Sequence, residues 1–191
     1  MFKRKNLFLF ISLFSWGILV NCATLPQNHK ALAEKVDIKD KNIVSIVVPH
    51  LTDPKEIAAF NAGIFSAVGS EKIVPTVPDA IKNLLGSIFS DATSGSLTDA
   101  KMSGLIALAA KIVDPDYVFL ISTQPTTILN KILFIQKAVP GIEVNVLLWD
   151  VKNTKLIGVA KYYGTLPDNP QIRLGSLTNS GKNAVNYLLE Q

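Results

Sequence analysis

One cysteine, two histidines and 15 carboxylates are all that this 191-residue chain offers to nucleophilic, acid–base or metal chemistry. Cys22 ends a cation-led apolar stretch, His29 sits in a polar segment after it, and His50 follows Pro49 at the end of a β-branched run. A serine or cysteine nucleophile needs a base held beside it. His50 is the histidine available for that, and it reads as a strand-end residue satisfied by backbone or water. Asp114 and Asp116 flank Pro115, a cap-and-turn pattern more than a Ca²⁺ loop. Gly63, Gly69 and Gly95 stand alone, and no Gly-Lys-Ser/Thr follows a strand, so the phosphate-cradling loop is missing. Glu56, Glu71, Asp79, Asp99 and Glu143 each have a surface or cap explanation. The residue types argue against an enzyme and require no metal or other cofactor.

Cys22 carries a different chemistry. Lys3, Arg4 and Lys5 precede an uncharged, mostly apolar run over residues 7–20, and the first acid is Glu34. That is the layout of an export signal. The run is about 14 residues, short of the roughly 20 that a helix needs to cross hydrocarbon. Leu19-Val20-Asn21-Cys22 resembles a bacterial lipobox, with the branched apolar residue at −3 and cysteine at +1. Asn21, in place of Gly, Ala or Ser, is similar to the looser lipoboxes of spirochaetes. The resemblance implies cleavage before Cys22, a thioether-linked diacylglyceryl group and an N-acyl chain such as palmitate. At about 0.8 kcal/mol per buried methylene, two or more chains give stable attachment to a membrane. An ordinary signal peptide with an incidental cysteine, or an uncleaved anchor, are the other readings, and the lack of a second cysteine favours the lipid. The expected organisation is a signal peptide over 1–21, a lipid-anchored tether over 22–41, and one domain over 42–191.

The charge balance changes once the leader is set apart. The chain has 19 cations and a net charge of +4, yet Lys3, Arg4 and Lys5 lie in the leader, so the remainder is close to neutral. A neutral domain lacks the basic face that neutralises phosphates, and no nucleic-acid partner is expected. With no second cysteine the domain holds itself together through its core, for which about 170 residues suffice.

Hydrophobic patterning then supplies the elements. Residues 42–49 read as a strand buried on both faces. A helix starts at Asp53-Pro54 and stops at Gly69, a short edge strand covers 72–75, and a second helix follows Val77-Pro78-Asp79. A third helix runs from Thr98 to about Ile112, and a strand covers 117–123. Residues 142–150 and 156–163 form a β-hairpin, and Leu174 to Leu189 outline a closing helix. The order predicts a single, three-layer-like α/β domain, with a mixed four- to five-stranded sheet and a C-terminal β-hairpin covered by helices. Trp149 is expected in the core with Val118 and Leu120.

Two segments stand out as contact candidates. Ile128, Leu129, Ile132, Ile135 and Val139 fit helical spacing, although Leu133-Phe134-Ile135 also suits a strand, and the balance leans to helix. This segment either covers the core or presents Ile128, Leu129 and Ile132 to a partner or membrane. The polar stretch over 91–96 reads as a mobile loop, in which Asp91 and Ser94 are the partner-contact candidates.

Asp116-Tyr117-Val118-Phe119-Leu120-Ile121, followed by Val146-Leu147-Leu148-Trp149-Asp150-Val151-Lys152-Asn153-Thr154-Lys155-Leu156-Ile157, resembles a pattern of bacterial outer-membrane lipoproteins. The pattern occurs in lipoprotein activators of penicillin-binding proteins, the curli secretion channel lipoprotein and auxiliary lipoproteins of transport systems. It implies an α/β fold and an envelope location, periplasmic or surface-facing, and no reaction. Together these readings predict a non-catalytic module that docks an envelope protein in biogenesis or a transport-associated assembly. The alternative is a carrier that holds a small apolar ligand against the sheet.

Overall fold

β-branched runs become strands and proline-led amphipathic segments become helices through most of the chain. The computed structural model describes residues 27–32, 36–70, 72–74, 76–132 and 135–190. The leader and Cys22 lie outside the described residues. The strands are β1 (His29–Leu32), β2 (Ile43–Val48), β3 (Tyr117–Ile132), β4 (Ile135–Asp150) and β5 (Lys155–Thr165). The helices are α1 (Pro54–Val68), α2 (Asp79–Ser94), α3 (Asp99–Ala110) and α4 (Pro170–Leu189). One mixed sheet runs in the order β1-β5-β4-β3-β2, with β2 and β3 parallel and all other neighbours antiparallel. This is the expected α/β architecture of helices over a mixed sheet.

Local chemistry sets the helix ends. The Asp53 side chain accepts from the Lys55 N–H at 2.9 Å, and Pro54 supplies a first-turn residue with no N–H to satisfy. Asn169 caps α4 in the same way, taking the N–H groups of Gln171 and Ile172. Asp116 ties two strands together at their starts, its Oδ2 accepting from the Asn42 N–H at 2.8 Å.

Alternation along the strands divides the apolar residues between two cores. One face buries Phe119, Ile121, Val144, Val146 and Leu148 against Phe60 and Ile64 of α1 and Leu177, Ala184 and Leu188 of α4. Helices α1 and α4 touch at glycines, since a Cβ on Gly63 would lie 2.0 Å from the Thr178 carbonyl oxygen and one on Gly181 2.6 Å from that of Phe60. The other face buries Val118, Leu120, Leu147 and Trp149 against Ile88 and Ala92 of α2 and Met102, Leu105 and Ala109 of α3. Trp149 is 1% exposed and stands opposite Val118, as expected.

Four stretches differ from the sequence expectation. Residues 128–132 and 135–139 are not a helix: they belong to β3 and β4, which pair from Tyr117↔Asp150 out to Ile132↔Ile135. Ile128 and Ile132, like Ile135 and Val139, are four apart, and residues four apart share a face in a strand as well as in a helix. Spacing alone therefore could not separate the two. Residues 91–94 are not a loop but the last turn of α2, and the chain turns only at Gly95, which has φ 74°. The stretch read as tether contributes β1, which pairs with β5 from His29↔Lys161 to Leu32↔Gly158. The short strand at 72–75 is reduced to a single parallel bridge, Ser45↔Ile73.

Candidate functional site

The sheet face beneath α2 and α3 changes character halfway along its strands. On β3, Val118 and Leu120 give way to Ser122 and Gln124; on β4, Trp149 and Leu147 give way to Asn145 and Glu143; on β5, Val159 is followed by Lys161. Helices α2 and α3 cover the apolar half. The polar half is left as the floor of an open groove of about 1310 Å³. Leu85, Gly86, Phe89 and Ser90 of α2 form one wall, and Pro49, His50, Leu51 and Thr52 after β2 form the rim.

Strand register fixes the floor. Val48, Ser122, Asn145 and Lys161 stand in one row across β2, β3, β4 and β5. Gln124, Glu143 and Tyr163 make the next row. Within this lattice Glu143 Oε1 accepts from Lys161 Nζ at 2.9 Å and from Asn145 Nδ2 at 3.1 Å. Burial pushes the Glu143 carboxyl up, but the hydrogen bonds from Lys161 and Asn145, the Lys161 charge and a hydrogen bond from Tyr163 outweigh it and hold it below the usual range. Burial also raises the Tyr163 hydroxyl, helped by the Glu143 charge and opposed by that of Lys161.

Glu143 is committed to three donors. The His50 N–H donates to Thr123 Oγ1 at 2.8 Å, which fixes the rim and leaves the residue exposed at the mouth. Among the described residues no group of three or more His, Cys, Asp or Glu converges as metal ligands would. A smaller cavity of about 150 Å³ opens beside the rim, next to Glu56 and Arg173, whose ion pair closes at 2.5 Å between α1 and α4.

The residues singled out from sequence are scattered. Ile128 and Leu129 are half-buried on the outer β3–β4 hairpin, away from the groove lining. Ile132 ends β3, and its side chain lies outside what is described. Asp91 is half-buried and bonds Lys101. Ser94 does line the groove, with its hydroxyl donating to the Asp91 carbonyl at 3.1 Å. The open groove lies beside α2. The floor residues Ser122, Asn145 and Lys161 were missed. Their signal was present, because Glu143-x-Asn145 shares one strand face with Leu147-x-Trp149, and a face that turns polar midway marks an uncovered half.

No protein-family model matches the chain, and no curated protein matches it. Among solved structures, the chain is similar to the PelC dodecamer from Paraburkholderia phytofirmans, with 14% identity over 86% of this chain and 99% of that one and a TM-score of 0.46. It is also similar to the lipoprotein GNA1162 from Neisseria meningitidis, with 16% identity over 76% of this chain and 99% of that one and a TM-score of 0.35.

Proposed function

We propose that the chain is a membrane-anchored lipoprotein of a bacterial cell envelope, with the outer membrane as the favoured location. In this reading Cys22 carries the lipid, and the α/β domain is a non-catalytic module that docks an envelope protein in biogenesis or a transport-associated assembly. The observation that carries the docking is the open groove of about 1310 Å³, placed beside two cores that are filled with side chains. Such a groove offers contact area and hydrogen-bonding groups without a positioned nucleophile. Anchoring is supported by the leader and its Leu-x-x-Cys end. Carriage of a small apolar ligand is the weaker reading, because an apolar occupant would desolvate the Glu143–Lys161 pair without replacing its water.

A photo-crosslinking side chain placed at Ser90, on the groove wall, or at Asn179, exposed on α4, tests this in cells that make the protein. A discrete protein adduct from Ser90 and none from Asn179 is expected. Equal adducts at both positions, or none at either, would overturn the assignment of docking to the groove.

A further inference from the structure

We infer that the groove takes an uncharged, extended peptide segment, with its backbone amides held by Ser122 and Asn145 and an apolar side chain lodged against Leu85 and Phe89. This rests on the docking reading above and names the occupant of that groove. Ser122 and Asn145 face each other in the β3–β4 register, 7% and 8% exposed, at the bottom of the groove. Asn145 gives its Nδ2 to Glu143. Among the described residues neither the Ser122 hydroxyl nor the Asn145 carbonyl oxygen has a hydrogen-bond partner. Both side chains line the open groove, so an occupant that displaces the water there must supply the hydrogen bonds that the protein does not. Asn145 needs a donor, and a serine hydroxyl serves as donor or acceptor. A peptide backbone presents N–H and C=O groups at this spacing.

Charge and size narrow the class. Lys161 is paired with Glu143, and Lys82 on the wall with Asp79 at 2.8 Å. With both cations already neutralised, the groove favours an occupant without net charge. Its volume of about 1310 Å³ exceeds the roughly 300–1,000 Å³ of a site for one small molecule, which points to a segment of a polymer. A sugar chain would also bring hydroxyl donors, but sugars lie flat on exposed aromatic rings. Here the apolar part of the lining is mainly aliphatic, with Leu51, Val77 and Leu85, and Phe89 is half-buried.

The test uses a phage-displayed library of uncharged dodecapeptides selected on the purified full-length protein, with the enriched peptide labelled and titrated by fluorescence anisotropy. Asn145→Leu should weaken binding about tenfold and Ser122→Ala several-fold, while Asn179→Ala leaves it unchanged. Ser122→Ala removes one oxygen and preserves the fold, so the test stands even if Asn145→Leu unfolds the domain. N-methylation at one backbone position should weaken wild-type binding and add little in Asn145→Leu, which couples that N–H to that oxygen. Equal affinity of wild type and Ser122→Ala, with no such coupling, overturns the inference. So does binding on an oligosaccharide array that the same substitutions abolish, with no peptide enriched. If no peptide binds but the Ser90 crosslink to a protein persists, the peptide inference falls and the docking reading survives; loss of that crosslink ends both.

Discussion

Glu143 and Lys161 stand on adjacent strands two residues out of register, and their side chains close that diagonal to 2.9 Å. The Glu143 side chain is 16% exposed against 41% for Lys161, so the carboxylate depends on the lysine more than the reverse. Replacing Lys161 with Met should raise the Glu143 pKa and cost about 1–3 kcal/mol, the usual penalty of an unpaired buried polar group. Urea melts and carbonyl-detected NMR titration read the two effects, and an unchanged titration would show that the pair does not set the charge.

The same pair gives stability a defined pH dependence. The folded Glu143 pKa lies below its unfolded value, so its contribution is present above about pH 4.5 and is lost as pH falls through the folded pKa. Wild type should therefore be more stable than Glu143→Gln at pH 7, with the difference fading in acid. A gap that stays constant from pH 7 to pH 3 would contradict this.

Trp149 is the largest fully buried side chain on the α2–α3 face. Trp149→Ala should cost about 3–5 kcal/mol in denaturant melts. A loss under about 1 kcal/mol would mean that the cavity collapses freely, against the packing seen around Val118 and Leu120.

Glycine tolerance should differ sharply between helices. Gly63→Ala drives a methyl into the Thr178 carbonyl and should cost about 1–3 kcal/mol, as overpacking does. Gly86→Ala in α2 meets nothing within 4 Å and should stabilise by about 0.5–1 kcal/mol. Thermal melts of both variants decide it, and a neutral Gly63→Ala would show that α1 and α4 separate at little cost.

The outer hairpin should be dispensable for folding. The last partner of β2 is Ser122 and the last of β5 is Gly141, so beyond them β3 and β4 pair with each other. Replacing residues 129–138 with Asn-Gly, between the opposed Ile128 and Val139, should leave a cooperative melt within about 1 kcal/mol of wild type. Loss of cooperativity would place those residues in the folding unit.

The core was legible because burial on both faces of a strand writes continuous apolar runs, as in Ile43-Val44-Ser45-Ile46-Val47 and Val146-Leu147-Leu148-Trp149. The groove was harder to read, because it depends on where α2 stops covering the sheet, and that follows from helix placement. Asp91 and Ser94 looked like loop because serine, threonine and aspartate compete for backbone hydrogen bonds. In the helix the Thr93 and Ser94 hydroxyls bond back to Phe89 and Asp91 carbonyls, and the same residues become compatible with a last turn. β1 escaped because four residues at a sheet edge draw their stability from β5 more than from their own sequence.

That edge strand has a mechanical consequence. In the proposed lipoprotein, anchored through Cys22, a free run of 20 residues would let the domain wander far from the bilayer. Pairing His29 with Lys161 shortens the leash to seven residue steps, at most about 25 Å. His29 also shares its row with Lys161 and Asn145, so in that proposal a pull on the anchor would reach the strand row that floors the groove. A partner of the anchored protein would then meet it close to the lipid surface, and tension on the anchor would act along the register of the groove floor.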